Sequence, residues 1–212
     1  LINAYTFIKI KLNGNKQIFS CEKDIFLKES LDSKIIITQG FISSDENNKL
    51  YLLSRGGSDT TASLIAAELN AIQLEIFTDV NGIYTGDPFK IINSNIISII
   101  NYKICQELSA MGAKVLHPYC IKPVENKNIP ILIKNTYDPE GIFTLIDNKN
   151  ETNDIIAVLE QNNITIFHIE SLDMWNNYGF VYDIFGIFSK YSIDINIIIT
   201  SQFIISATTN ET

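Results

Sequence analysis

The chain has 212 residues, of which 46% are hydrophobic and 19% are charged, so it is long enough and apolar enough to bury a core. Its formal charge of −8 argues against the basic groove that nucleic-acid phosphates require. Its apolar runs, such as 96–100 and 197–199, fall far short of the roughly 20 residues that a membrane-spanning helix needs. These properties predict a cytoplasmic protein that binds neither nucleic acid nor membrane.

Cysteine and histidine usage argues against a metal site built from protein ligands. The spacing of Cys21, Cys105 and Cys120 fits no metal-ligand pattern, and His117 and His168 lie far apart in the sequence. We expect three reduced cysteines that serve as small buried side chains.

A polar stretch at 147–154, DNKNETND, divides the chain into two predicted units. In the first unit the apolar run KIIITQGF at 34–41 predicts a strand buried on both faces of a parallel sheet. Further elements follow from periodicity and from turn residues: strands at 50–53, 74–80 and 129–133, and helices at 58–69, 102–111 and 118–126. Strands that alternate with helices predict a doubly wound α/β sheet.

The second unit has a different order of elements. A strand pair is predicted across 155–169 with its turn at Asn162 and Asn163, followed by a helix at 178–191. Strands at 193–200 and 203–207 complete the β-α-β-β opening of a ferredoxin-like domain, without its closing helix and strand.

The most informative segment is LSRGGSDTT at 53–61, between a predicted strand and a predicted helix. Gly56 and Gly57 allow a ligand to approach the backbone, and the first helical amides, at Ser58, Asp59 and Thr60, offer donors at the positive end of the helix. Arg55, the only arginine, can bind a carboxylate or phosphate, while Asp59 can accept hydrogen bonds from an ammonium group. This pairing suits the head group of an amino acid. A tight turn with an Asp cap and a surface arginine is the alternative.

A second polar cluster, FTDVNGIYTGDP at 77–88, follows a predicted strand. Ligands of open α/β sheets bind beyond the carboxyl ends of strands, where Thr78, Asp79 and Tyr84 suit a nucleotide. An Asn-Gly turn and an Asp-Pro stop without any ligand remain possible. In a third segment, MGAKVLHP at 111–118, Lys114 is either a phosphate ligand or a solvated lysine, and His117 is interpreted as a helix-start residue rather than a base.

Five blocks in one order resemble the aspartate kinases of the amino-acid kinase family: ITQGF (37–41), RGGSDTTASLIAAEL (55–69), IFTDVNGIYTGDP (76–88), GAKVLHP (112–118) and NTYDPEGIFTLI (135–146). SLDMWNNYGFVYDIFGIF at 171–188 resembles the first ACT regulatory domain of the lysine-sensitive type. The resemblance implies the carboxyl-side part of a three-layer α-β-α amino-acid kinase domain at 1–148 and a partial ACT domain at 155–212.

The resemblance also implies an activity, the ATP-dependent phosphorylation of the side-chain carboxylate of L-aspartate, with Mg²⁺ carried mainly by the nucleotide. It places the aspartate head group on Arg55, Gly56, Gly57, Ser58 and Asp59. It assigns the ATP site to Thr78, Asp79, Tyr84, Lys114 and Val115. ACT domains of this kind imply a homodimer that pairs through these modules.

Departures from the family pattern lead to two further expectations. The family's opening Lys-Phe-Gly-Gly-Thr-Ser segment, whose lysine neutralises the transferred phosphate, is absent, so the amino-terminal part is taken as missing and the chain as inactive by itself. Phe89 stands where arginine is usual, and Ser54 where glycine is usual. Asn196 and Gln202 replace acidic residues of the lysine pocket, which predicts weak or absent lysine inhibition. The pocket is assigned to Met174, Asn177, Phe180, Val181, Asn196, Ser201 and Gln202.

Two other interpretations stay open. One is a catalytically inactive regulatory subunit that binds an amino acid. The other is a different member of the same family, such as a glutamate or uridylate kinase, although the RGGSD block and the appended ACT-like unit count against it.

Overall fold

The computed structural model describes residues 1–13, 16–29, 33–113, 115–148, 156–174 and 178–210. The chain divides into two compact units, Leu1–Leu159 and Glu160–Thr212, and each is described by itself. Within the described residues no helix has both the length and the apolar character to cross a membrane. The three cysteines are free and buried, as predicted.

The first sheet of the first unit has the strand order β2-β1-β3-β4. Its members are β1 (Ile8–Asn13), β2 (Lys16–Cys21), β3 (Ile42–Ser44) and β4 (Leu50–Leu52). The β1/β3 pair is parallel, whereas β1/β2 and β3/β4 are antiparallel. Two helices, α1 (Ala4–Phe7) and α2 (Lys23–Glu29), bring Phe7 and Phe26 together edge to face with ring centroids 5.0 Å apart. These rings belong to the buried cluster of this half of the unit.

The second sheet has the order β5-β7-β8-β6 and holds the largest buried cluster. Its strands are β5 (Leu74–Thr78), β6 (Ile99–Asn101), β7 (Ile131–Asn135) and β8 (Thr144–Asp147). The β5/β7 and β6/β8 pairs are parallel, and β7/β8 is antiparallel. The helices α4 (Tyr102–Ala110) and α5 (Pro118–Glu125) contribute Tyr102, Cys105, Cys120 and Val124 to the cluster. Both helices begin where the sequence predicts, because Asn101 and His117 cap them through their side chains.

The helix α3 (Gly57–Leu69) lies between the two clusters of this unit. Ala66 belongs to the cluster of the second sheet, while Ile65 and Leu69 pack on that of the first. The Ser63 hydroxyl donates to the Cys120 carbonyl of α5, and both residues are fully buried. Small residues on α3 therefore allow a close approach to α5.

The predicted strand at 34–41 is wrong. The segment makes one isolated bridge, between Thr38 and Ile2, and Ile35 and Ile37 are 82% and 64% exposed. An apolar run indicates a preference for burial but not the presence of a neighbouring strand, and Phe41 turns the chain at a φ of +72°. Both sheets of the first unit contain parallel and antiparallel pairs.

The second unit contains β9 (Thr165–Glu170), a 3-10 turn (Leu172–Met174), α6 (Phe180–Lys190), β10 (Ile197–Thr200) and β11 (Ile204–Thr209). Its sheet has the order β10-β11-β9 and both pairs are antiparallel. Ile184 and Phe188 of α6 pack on Ile205 and Ala207 of the sheet. The predicted β-α-β-β order is therefore present.

The predicted strand before Asn162 is wrong for 156–162, the part of it that the structure describes, because these residues form neither a helix nor a strand. Asn163 has a φ of +59°, as a turn residue would, but only β9 follows it. Ile156 instead packs on the cluster of the second sheet in the first unit, where an apolar residue is buried without a strand partner.

Candidate functional site

The segment Arg55–Asp59 connects β4 to the start of α3, as predicted. Gly56 is the N-cap of α3 and has a left-handed φ of +72°, a conformation that favours glycine. A Cβ on Gly57 would lie 2.4 Å from Phe41 Cδ2 and 2.6 Å from Leu53 Cβ, so no side chain fits there. Both glycines are thus required by the local backbone and its packing. They also leave the start of α3 free of bulky side chains.

The first turn of α3 presents backbone donors to its surroundings. The N–H and the hydroxyl of Thr60 both donate hydrogen bonds to the carbonyl of Gly56, at 3.0 Å each. The amides of Ser58 and Asp59 precede that first helical bond and lie at the positive end of a 13-residue helix. This arrangement favours an anionic group near Ser58.

Arg55 and Asp59 place a cation and an anion beside this turn. Arg55 is exposed, and it has no ion pair or hydrogen bond within the described part of the chain. Asp59 is half-buried, and burial raises the pKa of its carboxyl while the His117 imidazole opposes that rise. The turn therefore combines a guanidinium available to a ligand with a carboxylate that lacks full solvation.

His117 lies beside the Arg55–Asp59 turn, which the sequence did not indicate. Its role as a helix-start residue is confirmed, because Nδ1 accepts a hydrogen bond from the Tyr119 amide at 3.3 Å. It also contacts Gly56, and burial lowers the pKa of its imidazole, with Asp59 raising it and Arg55 lowering it. A histidine before proline signals a helix start, but nothing in its local pattern signals a partner about 60 residues earlier.

The nucleotide candidates lie at and beyond the carboxyl end of β5. The Thr78 hydroxyl donates to Asp79 Oδ1 at 3.2 Å, and the Thr78 carbonyl accepts from the amide and the hydroxyl of Thr136. Asp79 is exposed, and Tyr84 is half-buried beside an isolated bridge to Ile96. The structure thus puts Thr78, Asp79 and Tyr84 in one loop.

A buried threonine fixes that loop to the second sheet. Thr144 Oγ1 accepts from the Ile83 amide at 2.9 Å and donates to the Ile97 carbonyl at 2.7 Å. A Cβ on Gly82 would lie 2.3 Å from the same hydroxyl oxygen. Thr144 therefore holds both ends of the segment 83–97.

Other predicted site residues are less informative. Val115 is partly buried against the cluster of the second sheet, and Lys114 and Asn177 lie outside the described residues. Of the predicted effector residues, Met174 and Phe180 pack in the core of the second unit, whereas Val181 is 41% exposed. Two more form hydrogen bonds: Asn196 Nδ2 donates to Asn210 at 2.9 Å, and the Ser201 amide donates to the Ile204 carbonyl at 2.8 Å. Gln202 is exposed.

The family follows from a direct match. Residues 7–135 match the amino acid kinase family, and this stretch includes the Arg55–Asp59 turn and the loop after β5. The chain belongs to the amino acid kinase family.

Named relatives of this family member are aspartokinases. Lysine-sensitive aspartokinase 3 of Escherichia coli is 37% identical over 183 residues, which cover 86% of this chain and 41% of the relative. The aspartate kinase structure from Clostridium acetobutylicum is similar at 33% identity, with a TM-score of 0.84, covering 98% of this chain and 48% of that one.

Structures of E. coli aspartokinase III are similar as well, both at 31% identity and each with 48% of its length covered. The complex with lysine and aspartate has a TM-score of 0.81 over 98% of this chain. The complex with aspartate and ADP has a TM-score of 0.80 over all of it. These matches confirm the predicted amino-acid kinase fold. The chain spans less than half the length of these relatives.

Thr144→Val tests how the loop after β5 is held. The substitution keeps the shape but removes the hydroxyl, so the buried Ile83 amide and the Ile97 carbonyl lose their partner. We expect the free energy of unfolding to fall by about 1–3 kcal/mol and amide hydrogen exchange to accelerate across 83–97. Urea unfolding and exchange mass spectrometry measure both, with Thr200→Val on exposed β10 as the control. Equal behaviour of the two variants would contradict the proposed anchoring.

Asp59→Asn tests the half-buried carboxylate. Because the folded pKa of Asp59 lies above its unfolded value, ionisation costs no stability below the unfolded pKa of about 4 and costs progressively more as the pH rises through the folded pKa. We expect the variant to gain stability relative to the wild type between pH 4 and pH 7, as followed by urea unfolding.

Asp45→Asn provides a control of opposite sign. Backbone hydrogen bonds, chiefly from Lys49, lower the pKa of the Asp45 carboxyl. Its stabilising contribution is therefore present above the unfolded pKa and is lost as the pH falls through the folded pKa. The free energy of unfolding of Asp45→Asn should therefore fall relative to that of the wild type as the pH rises. If the stabilities of Asp59→Asn and Asp45→Asn, each relative to the wild type, changed with pH in the same direction, the opposite pKa shifts of the two carboxyls would be refuted.

Proposed function

We propose that this chain carries the carboxyl-side part of an aspartate kinase catalytic domain, followed by a partial ACT domain. In the proposed reaction an oxygen of the L-aspartate side-chain carboxylate attacks the γ-phosphorus of ATP. The bond from that phosphorus to the β,γ-bridging oxygen breaks, and ADP leaves with its electron pair. The products are 4-phospho-L-aspartate and ADP, and such a transfer depends chiefly on positioning and on charge neutralisation.

One observation carries this proposal: an arginine that has no ion pair or hydrogen bond among the described residues and a half-buried carboxylate flank the same helix start. Arg55 and the Ser58 amide would bind the α-carboxylate, because a guanidinium and a helix N-terminus both favour anions. Asp59 would bind the α-ammonium group, which would also supply the counter-charge that its half-buried carboxylate lacks. The Gly56–Gly57 backbone would allow close approach. The side-chain carboxylate of the substrate would then be free to react.

The nucleotide is assigned to the loop after β5. Thr78, Asp79 and Tyr84 offer a hydroxyl, a carboxylate and a phenol to the sugar, base and phosphates of ATP, with Lys114 and Val115 as further contacts. The solved complex of E. coli aspartokinase III with aspartate and ADP supports a purine nucleotide. Mg²⁺ would be held by the phosphates and water and would offset phosphate charge; within the described residues no group of three His, Cys, Asp or Glu side chains could hold an ion.

The partial ACT unit is proposed to bind an amino-acid effector weakly, and to support a homodimer. A lysine complex is known for E. coli aspartokinase III. In this chain Asn196 and Gln202 are neutral, and the Asn196 amide is already bonded to Asn210. A lysine ammonium bound there would meet no opposite charge from these two positions.

Arg55→Ala tests the amino-acid site. Charge-assisted hydrogen bonds contribute about 1.5–3 kcal/mol, so we expect the Kd for L-aspartate to rise by about 10- to 100-fold in calorimetry with ATP present. Lys103→Ala, which removes an exposed cation elsewhere, should leave that Kd unchanged.

Two truncated ligands separate the roles. Succinate lacks the ammonium group, so Asp59→Asn should weaken L-aspartate but not succinate. β-Alanine lacks the α-carboxylate, so Arg55→Ala should not weaken it. Wild-type chain without affinity for aspartate, or with affinity insensitive to Arg55→Ala, would contradict the proposed function. Amino-acid binding without any ATP binding would favour an inactive regulatory subunit instead.

Lysine binding tests the effector assignment. We expect calorimetric titration of the wild-type chain with L-lysine to give little or no heat. The double variant Asn196→Asp, Gln202→Glu should gain affinity, because two carboxylates would then face the ammonium groups. Tight lysine binding by the wild-type chain would contradict this account.

A further inference from the structure

We propose that His117 is a positioning residue for the amino-acid site: its side chain is the surface against which Gly56 turns, and it thereby fixes the directions of Arg55 and Asp59. The inference rests on the proposed function of the Arg55–Asp59 turn. It goes beyond that function, because it assigns to the start of α5 a role in binding at the start of α3.

The contact between His117 and Gly56 leaves no free space. A Cβ on Gly56 would lie 2.2 Å from His117 Cβ, 2.6 Å from Cγ and 3.1 Å from Cδ2. One Cα hydrogen of Gly56 therefore faces the His117 side chain, where a Cβ would overlap Cβ and Cγ. The φ of Gly56 is +72°, a conformation that favours glycine. The contact with His117 independently excludes any larger residue at this position.

His117 is itself firmly placed. Its Nδ1 accepts from the Tyr119 amide, its carbonyl accepts from the Cys120 amide at 3.0 Å, and its ring meets that of Tyr119 at a centroid distance of 5.1 Å. One turn further along, the Cys120 carbonyl accepts the buried hydroxyl of Ser63. The start of α3 thus meets the start of α5 at His117, and further along the helix Ser63 meets Cys120.

Arg55, Asp59 and His117 lie close enough for their charges to influence one another. Asp59 raises the pKa of His117 and Arg55 lowers it, while His117 lowers the pKa of Asp59. Because Nδ1 acts as an acceptor, the neutral imidazole carries its proton on Nε2. A change at position 117 would therefore reach both binding groups, through the Gly56 backbone and through their shared electrostatic surroundings.

Two substitutions separate this positioning role from simple helix capping. His117→Ser keeps a side-chain acceptor for the α5 amides but loses the imidazole ring, whose Cγ and Cδ2 are two of the three atoms nearest to the position that a Cβ on Gly56 would occupy. His117→Phe keeps Cβ, Cγ and Cδ2 but cannot cap the helix. A capping role alone predicts damage in the Phe variant, whereas a positioning role predicts damage in the Ser variant.

The test is calorimetry of the full 212-residue chain with L-aspartate and with ATP, in wild type and both variants. We expect His117→Ser to raise the Kd for L-aspartate about tenfold and to leave the Kd for ATP within twofold, which also reports that the variant is folded. His117→Phe should keep the aspartate Kd within about threefold of wild type, although its thermal unfolding temperature falls. The reverse order of the two variants, or equal aspartate affinity in all three proteins, would overturn the proposal.

Hydrogen exchange in the absence of ligand makes the inference testable apart from the function. Amides of 60–62, the first that are hydrogen-bonded in α3, should exchange faster in His117→Ser than in wild type and should be unchanged in His117→Phe. If the wild type binds no aspartate, the proposed function fails, and unaltered exchange in the Ser variant would then overturn the contact role independently. If aspartate binds but neither variant alters binding or exchange, only the role of His117 is wrong.

Discussion

The close packing of α3 against α5 is the contact on which the first unit depends. Ser63 and Cys120 are fully buried where the helices meet, and Gly56 and His117 meet one level above them. The absent side chain of Gly56 and the small side chains of Ser63 and Cys120 allow the helices to pack closely, and a larger residue at Gly56 would overlap the His117 side chain. Because α3 also carries the residues that join the cores of both sheets, the start of this helix is set by the tertiary fold and not by its own sequence alone.

The start of α3 also carries a charge that burial disfavours. Asp59 is half-buried in a position that disfavours its ionised form, and Arg55 remains without a protein partner among the residues that the structure describes. A core under selection for stability alone would not need either feature. An arrangement that costs stability and leaves a guanidinium available is typical of a ligand site, where the missing opposite charges come from the ligand.

The sequence predicted those elements whose ends carry strong local signals. His117-Pro118 marked the start of α5, and periodicity and turn residues indicated α3 and α4, whose N-caps Gly56 and Asn101 were identified only in the structure. It failed at 34–41 and at 156–162, where an apolar run gave no information about whether a partner strand existed. In the site, Arg55 and Asp59 stood out by chemistry and spacing. The contact of His117 with Gly56 did not, because it depends on how two helices pack across about 60 residues.

The central claim is that the start of α3 binds the head group of an amino acid. The most direct measurement is a crystal structure of the chain with L-aspartate and a nucleotide bound. We expect the α-carboxylate within hydrogen-bonding distance of Arg55 and the Ser58 amide, with the ammonium group on Asp59. An aspartate molecule bound elsewhere, with Arg55 and Asp59 still facing solvent, would contradict it.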